Sequence, residues 1–391
     1  MAWKVTCVMD QRLEFVTYAL DPTNSMSDLC MRFGISRKTG YKWLHRFLAR
    51  GRDGLRDLSC RPKRLPRITK PEIVCEIVRL RLERPTWGPK KLRALLLRSL
   101  PKTGVPSQST IARVLERVGL VQPQPRHRGR KRTASRDAVT PKGPNDLWTV
   151  DFKGWWKTRD GYRCHPLTIR DEWSRFILDI RATPKINMTS VRKVFEEVFT
   201  RYGLPGAIRS DNGVPFAFTR SLARMTKLSA WWKALGIELD RIDPGKPQQN
   251  GSHERMHKDI RAELQALRAI NITEQQKAFD HWRNDFNVYR PHEALDMNTP
   301  IESYEISTRP YTGKTPEIVY PKHFVVRQVT RRGEIGLNGR RGYYVSEALA
   351  GWTIGVERKS KDTLYFWFSD LWLGTTDIAL SRPLKETRGQ P

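Results

Sequence analysis

Cysteine is scarce and badly spaced for either of its structural uses. The five, Cys7, Cys30, Cys60, Cys75 and Cys164, are odd in number and include no C-x-x-C pair. That excludes a disulfide scaffold and an ordinary cysteine zinc site, and leaves free thiols in a reducing compartment as the expectation. Long apolar runs are missing too: no stretch approaches the ~18 residues of a membrane span. Lys4, Asp10 and Arg12 break up the first residues, so a signal peptide is not expected. Acidic side chains are the minority, 41 against 71 Lys and Arg. What the chain does have is a formal charge of +30 over 391 residues, with 38% hydrophobic residues, 13 Trp, 11 Tyr and 14 Phe. It is too apolar and aromatic to be largely disordered. The expectation is a multidomain cytoplasmic protein with no membrane partner.

The charge is concentrated. Residues 1–143 carry 32 basic and 11 acidic side chains, a net of +21, while residues 144–391 carry 39 and 30. Such a basic region reads as a binder of polyanions, nucleic acid first among them. A membrane surface fits less well, because the basic stretches are not amphipathic helices with a Trp/Leu face.

Two helical pairs organise this region. Met26–Phe33 and Ser36–Leu48 are amphipathic segments about Gly34-Ile35, with Gly34 suited to a left-handed turn and Ser36 to an N-cap. The second segment opens with Arg37 and Lys38 and carries Tyr41, Lys42 and Trp43. The N-terminal end of a recognition helix is the part that reaches base edges, so Arg37, Lys38 and Lys42 are candidate DNA contacts. A second unit comprises Ile73–Leu82, a break at Thr86-Trp87-Gly88-Pro89, Pro89–Leu100, and Gln108–Val118 capped by Ser107 and stopped by Gly119. Its candidate contacts are Lys90 and Lys91. The expected domains are residues 1–60 and 61–121. Residues 122–144 then form a Pro-punctuated basic segment. It reads equally as a solvated linker or as an arm on phosphates, with Arg128, Arg130, Lys131 and Arg132 as the contacting cations.

From Leu147 the pattern turns to alternation. Strands are expected at Leu147–Lys153, Pro166–Arg170, Phe176–Ala182, Ala207–Ser210 and Ile237–Ile242. Helices are expected at Ser190–Tyr202, Leu228–Leu235 and from Gly251 to Leu267. This α/β order is that of a ribonuclease-H-like core. Three acids stand out: Asp151 inside an apolar strand, Asp211 at a strand end, and Glu254 in the first turn of a helix. A charge in the middle of an apolar strand is costly unless paired or metal-bound. Carboxylate clusters suit Mg²⁺ or Mn²⁺ rather than zinc, and two such ions promote in-line phosphoryl transfer. Taken singly, each acid also fits a turn-forming or helix-dipole role.

The strings around these acids carry a resemblance. They are Leu147-Trp148-Thr149-Val150-Asp151-Phe152, Ser210-Asp211-Asn212-Gly213 and Pro247-Gln248-Gln249-Asn250-Gly251-Ser252-His253-Glu254-Arg255-Met256-His257, closed by Tyr289-Arg290-Pro291-His292. With them, residues 145–305 resemble the integrase catalytic core of bacterial insertion-sequence transposases, the DDE class related to retroviral integrases. The Trp87-Gly88-Pro89-Lys90-Lys91-Leu92 string is similar to that group's tandem helix-turn-helix units. The resemblance implies Asp151, Asp211 and Glu254 as catalytic, metal-binding acids holding two Mg²⁺ ions, with Mn²⁺ as a substitute. It also implies element-end and target duplex DNA as partners, and a homodimer or larger assembly on DNA in the bacterial cytoplasm, associated with the nucleoid. Asn212, Asn250 and His257 are supporting residues of the site, and Lys258, one turn after Glu254, is a further DNA contact. His253 reads as exposed, and Arg290 and His292 as supporting or structural. Two departures stand. The His/Cys zinc module of retroviral integrases is not visible, and 42 residues separate Asp211 from Glu254. That spacing is longer than usual for the family, the excess falling at Phe216–Lys227.

Beyond the core, Ile272–Tyr289 reads as a helix. Short alternating runs with an Asn338-Gly339 turn then predict a small β-barrel over residues 318–380, SH3-like in the related enzymes. Arg331, Arg332, Arg340 and Arg341 would touch DNA there or protect an exposed edge. The expected function is a transposase that binds terminal inverted repeats, frees 3′-hydroxyl ends and joins them to target DNA. The alternative is a catalytically silent DNA-binding regulator or domesticated transposase. A simple nuclease fits two dedicated DNA-reading modules poorly.

Overall fold

The computed structural model describes residues 7–59, 69–101, 104–121, 139–218, 222–242, 251–265, 268–337 and 340–377. It divides into two compact units, Met1–Thr69 and Lys70–Pro391.

In the first unit, helices α1 (Val8–Ala19), α2 (Met26–Arg32) and α3 (Arg37–Arg50) close on Phe15, Val16, Leu29, Cys30, Trp43 and Leu55. Gly34 takes φ +63 between α2 and α3, and the Ser36 hydroxyl accepts from the Thr39 backbone N–H, so turn and cap are as expected. Gly40 lets α3 cross its neighbours closely: a Cβ there would lie 2.7 Å from the Cys30 sulfur and 2.9 Å from Phe15. Helix α1 has no counterpart among the sequence expectations. It buries only Phe15 and Val16, so its apolar stripe is too narrow to read as a period.

The second unit opens with α4 (Pro71–Glu83), α5 (Pro89–Ser99) and α6 (Gln108–Arg117). Proline begins α4 and α5, and Ser107 caps α6 through the Thr110 N–H. Trp87, in the break between α4 and α5, is buried with Ile77, Leu80, Leu92, Leu96, Ile111 and Val114.

The central sheet comprises β1 (Leu147–Phe152), β2 (Trp156–Lys157), β3 (Arg163–Asp171), β4 (Ile177–Thr183), β5 (Ala207–Ser210) and β6 (Glu238–Arg241). Its order is β4-β3-β1-β5-β6, with the short β2 also paired to β3. β3 runs antiparallel to both β1 and β4, while β5 runs parallel to β1 and to β6. Side chains alternate between the two faces. Trp148 and Val150 join the core made with α7 (Met188–Tyr202) and α8 (Lys227–Ala234). α9 (Gly251–Ile260) and α10 (Ile272–Val288) cover the opposite face through Met256, Ile260, Phe279 and Phe286, against Cys164, Ile177 and Ile180. Thr149 and Asp151 of β1 point to this α9 side. α9 continues into a π-helical turn, Arg261–Gln265. The Phe216–Lys227 excess is core-building where described: Phe216, Ala217 and Met225 are buried, and Phe216 stacks on Trp232.

The C-terminal strands are β7 (Val325–Gln328), β8 (Glu334–Leu337), β9 (Arg340–Tyr344), β10 (Thr353–Arg358), β11 (Thr363–Phe368) and β12 (Leu371–Asp377). The expected closed barrel is not what they form. Among the described residues there is an open four-stranded sheet, β12-β11-β10-β7, and a separate β8–β9 pair. The two sheets share one core of Ile335, Leu337, Val345, Ile354, Val356, Phe366, Phe368 and Leu373, so the apolar faces are buried without ring closure. The Asn338-Gly339 turn lies outside the described residues, and Arg331 and Arg332 are exposed.

Candidate active site

Asp151 sits near the end of β1, Asp211 directly after β5, and Glu254 in the first turn of α9. β1 and β5 are adjacent and parallel, which brings the two aspartates to one edge of the sheet. Asp151 is the most perturbed of the three. Burial pushes its carboxyl up to about 7, and the charges of Asp211 and Glu254 each push in the same direction. Asp211 is raised as well, chiefly by burial, with the Gly213 N–H donating to its Oδ1 at 3.2 Å and opposing the shift. Gly213 is close-fitting, since a Cβ would stand 3.1 Å from the Asp211 carboxylate. Among the described residues, no three His, Cys, Asp or Glu side chains stand close enough together to hold a metal ion as they are. Asp211 and Glu254 act on Asp151 without converging on it.

Two polar clamps seat the start of α9. Arg170, fully buried on β3, donates to the Ser252 carbonyl (2.9 Å), the Ser252 hydroxyl (2.7 Å) and Glu172 (2.5 Å). Ser252 in turn donates to Glu172 at 2.6 Å. Beside this lies His253, wholly buried rather than exposed as its sequence context suggested. Its Nδ1 meets the Thr149 hydroxyl at 2.7 Å and its Nε2 the Thr168 hydroxyl at 2.6 Å. Thr168 faces Asp151 in the β1–β3 register. Its hydroxyl also reaches the Asp151 carbonyl (3.0 Å) and His257 Nε2 (2.8 Å). His257 Nδ1 stands 3.9 Å from Asp151 Oδ2. Burial holds both imidazoles in the neutral form, His257 down to about 3, helped by the positive charges of Lys153 and Arg170. Sequence reasoning missed Thr149, Thr168, Arg170 and Glu172. The available signal was the Thr149 hydroxyl, two residues before Asp151 and so on the same face of its strand.

The Asn212 amide N–H donates to the Ile242 carbonyl at 2.6 Å, tying the turn after Asp211 to the end of β6. Its buried Oδ1 has no protein partner. Asn250 lies outside the described residues, as do Arg128, Arg130, Lys131 and Arg132. Lys258 is exposed and, among the described residues, makes no ion pair with Glu254. Arg37, Lys38 and Lys42 are exposed along the first half of α3.

Lys90 and Lys91, the expected contacts of the second unit, both have partners in the core. Lys90 pairs with Glu293, and Lys91 is half-buried beside Arg290, Asp259 and Glu263, its amine pulled down to about 8 chiefly by burial. Neighbouring cations are engaged in the same way: Arg84 with Asp285 (2.5 Å) and Arg98 with Glu302 (2.8 Å). The start of α5 therefore lies beside acids of the core, with Lys90 still exposed. The cause is a row of acids on the core that sequence order does not place beside α5. Arg290 is structural here. It is buried, paired with Asp259 (2.8 Å) and Glu263 (3.3 Å), and lies over Phe286 and Trp87. On α6 of this module, Arg113 and Arg117 stay exposed.

A mixed sheet of this order, flanked by helices and carrying acids at adjacent strand ends, defines a ribonuclease-H-like core preceded by helix-turn-helix units. Comparison with known proteins narrows the class. Residues 141–247 and 235–300 match models of the integrase core domain, residues 11–64 a helix-turn-helix domain and residues 39–115 a homeodomain-like domain. An uncharacterised 31.7 kDa protein of insertion element IS407 from Burkholderia multivorans is 27% identical, over 59% of this chain and 79% of its own length. A 39.2 kDa protein of insertion element IS476 from Xanthomonas euvesicatoria is 26% identical, over 55% of this chain and 60% of its own. Among solved structures, the HTLV-2 integrase catalytic core domain in complex with magnesium is 14% identical. It covers 42% of this chain and all of its own, with a TM-score of 0.32. The chain therefore carries an integrase core domain over residues 141–300, preceded by helix-turn-helix domains, and is similar to insertion-element proteins.

Proposed function

We propose that this protein binds the terminal inverted repeats of a mobile DNA element, hydrolyses a phosphodiester to free a 3′-hydroxyl, and joins that hydroxyl to target DNA. The observation that carries the reading is the electrostatic state of Asp151: half-buried, raised to about 7, and pressed further by Asp211 and Glu254. Like charges held together in a partly buried edge are what a bound cation relieves. The donor set is oxygen-rich and suits Mg²⁺, or Mn²⁺ as substitute. Asp151, Asp211 and Glu254 would hold the ions, moving closer as their mutual repulsion is neutralised. Bound there, two ions would supply activation of the attacking oxygen and stabilisation of the leaving one.

The chain's own residues do the rest. Arg170, Glu172 and Ser252 fix the first turn of α9, and with it Glu254, against the sheet. Gly213 and Asn212 hold the loop bearing Asp211. The exposed Arg37, Lys38 and Lys42 of α3 take up the element end. Arg113 and Arg117 on α6 offer a second basic surface. Lys258, free of Glu254, would hold a phosphate near the scissile bond. Two ends processed together imply at least two copies on DNA.

Labelled element ends incubated with the protein and Mg²⁺, with every cut and joined product mapped, test this directly. Joined product that vanishes in Asp151→Asn, Asp211→Asn and Glu254→Gln, with end binding kept, supports the reading. Duplex bound but never cut would favour the silent-regulator alternative.

A further inference from the structure

Strand β1 does not run evenly into β2. On β3, Leu167 faces Phe152 and Cys164 faces Trp156, so residues 153–155 oppose only residues 165–166. The extra residue makes a bulge, with Gly154 at φ +92, and bulges beside active sites serve to re-aim a side chain. Here Trp156 turns inward and donates from Nε1 to Gln275 Oε1 at 3.1 Å, while Trp155 turns outward with half of its surface open. The Arg163 guanidinium carbon lies 4.4 Å from the centre of the Trp155 ring, and Arg163 sits across from the exposed Lys157. Arg159 and Tyr162 are exposed at the tip of the same hairpin. The tip is fastened: the Arg159 and Asp160 N–H groups donate to the Ala269 and Ile270 carbonyls, each at 3.0 Å. Asp160 is the hairpin's one acid against Lys153, Lys157, Arg159 and Arg163, and the Thr158 hydroxyl engages its carboxylate at 2.5 Å.

An exposed indole on a braced hairpin, backed by a guanidinium and flanked by cations, has the make-up of a surface that stacks bases and holds phosphates. A second copy of this chain, itself carrying +30, matches such a surface poorly. Trp155 lies four residues beyond Asp151, so their Cα atoms are at most about 14 Å apart. That distance spans about four nucleotides of one strand, at about 3.4 Å each. We propose that Trp155 stacks an unpaired base of the element end, within about four nucleotides of the phosphate under attack, with Lys157 and Arg159 on the neighbouring phosphates. A base lifted from the duplex loses its stacked neighbours, and the indole replaces one of them. Every base has a flat face, so this contact selects an opened end rather than a sequence. The inference rests on Asp151 belonging to the strand-joining site, and goes beyond that reading by naming the state of the DNA bound there.

The test measures binding of the full chain to an element-end duplex in Ca²⁺, with a single mismatch moved through the terminal base pairs. The wild type should bind at least about fivefold tighter when one pair near the scissile phosphate is mismatched, because that pair no longer has to be opened. Trp155→Ala should bind paired and mismatched ends alike, and hold the mismatched end at least about fivefold more weakly than the wild type does. Trp155→Phe, which keeps an aromatic face, should retain the preference. In the wild type, 5-iodouracil at the preferred position should photo-crosslink to Trp155, a readout that needs no variant. No mismatch preference in the wild type, one that persists in Trp155→Ala, or a crosslink that maps elsewhere overturns the inference and leaves the strand-joining site standing. So does a Trp155→Ala protein that keeps the preference but loses its multi-copy complex on DNA, which gives the patch to a second copy of the chain. Equal binding of element ends and unrelated duplex by the wild type overturns both.

Discussion

The helical modules and the sheet edge hold their charges in opposite ways. In the modules, cations are either displayed, as with Arg37, Lys38 and Lys42 on α3, or matched one for one, as with Arg84, Lys90 and Arg98 against Asp285, Glu293 and Glu302. At the sheet edge, the charges of Asp211 and Glu254 add to burial in holding Asp151 well above its usual range. A displayed or matched charge costs a folded protein little. A crowded one costs stability, and so marks a place where something else is meant to bind. On the proposed function, the modules grip DNA and dock internally, and the sheet edge does the chemistry.

Substitutions that separate gripping from chemistry sharpen the contrast. The largest effect belongs to the acids: Asp211→Asn should reduce strand joining by at least about a thousandfold, since it removes a ligand of ions worth several kcal/mol. End binding in a gel-shift assay should stay within about threefold, and Ca²⁺ should support assembly on DNA better than catalysis. Next comes α3. Reversing Arg37, Lys38 and Lys42 together to Glu should weaken binding to element ends by about 100-fold or more, because each side chain that bonds a base edge is worth about 1–3 kcal/mol.

A third change acts on stability. Asp151 has a native pKa of about 7, above its unfolded value near 4, so its protonated form is favoured by folding. That contribution is fully present below about pH 4 and is lost as the pH rises through about 7. Asp151→Asn should therefore raise the melting temperature of the metal-free protein at pH 8 and leave it unchanged at pH 4. The gain at pH 8 is bounded by about 4 kcal/mol for a shift of this size. Thermal melts of both proteins across this range check it, and a melting temperature lowered at pH 8 would contradict the crowding. The smallest effect is expected at Lys90. Its amine is engaged by Glu293, so Lys90→Ala should change duplex affinity by less than about twofold. A tenfold loss would return Lys90 to the DNA-binding set.

Local signals make much of this molecule readable. Gly34, Ser36, Ser107 and the prolines opening α4 and α5 mark helix ends by chemistry that acts within a few residues. The core strands follow from alternation, and the acids stand out as a charge inside an apolar strand, one at a strand end and one in the first turn of a helix. What is not readable depends on elements meeting across the fold. The burial of His253 requires Thr149 and Thr168 on two different strands, and the engagement of Lys90 and Lys91 requires acids some 170 to 200 positions away. The C-terminal strands are foreseeable apart from β7, but their pairing is not. Val325–Gln328 is exposed along its length, and the sheets bury their faces against each other rather than closing.

The central claim is that these carboxylates carry out strand transfer on DNA held by the helical modules. The most direct measurement incubates the full chain with a pre-cleaved, 3′-hydroxyl element end, labelled on the transferred strand, and an unlabelled target duplex in Mg²⁺. Wild-type protein is expected to give a covalently joined, labelled product, and Asp151→Asn to bind the same end and give none. Joining by Asp151→Asn at the wild-type rate would contradict the account.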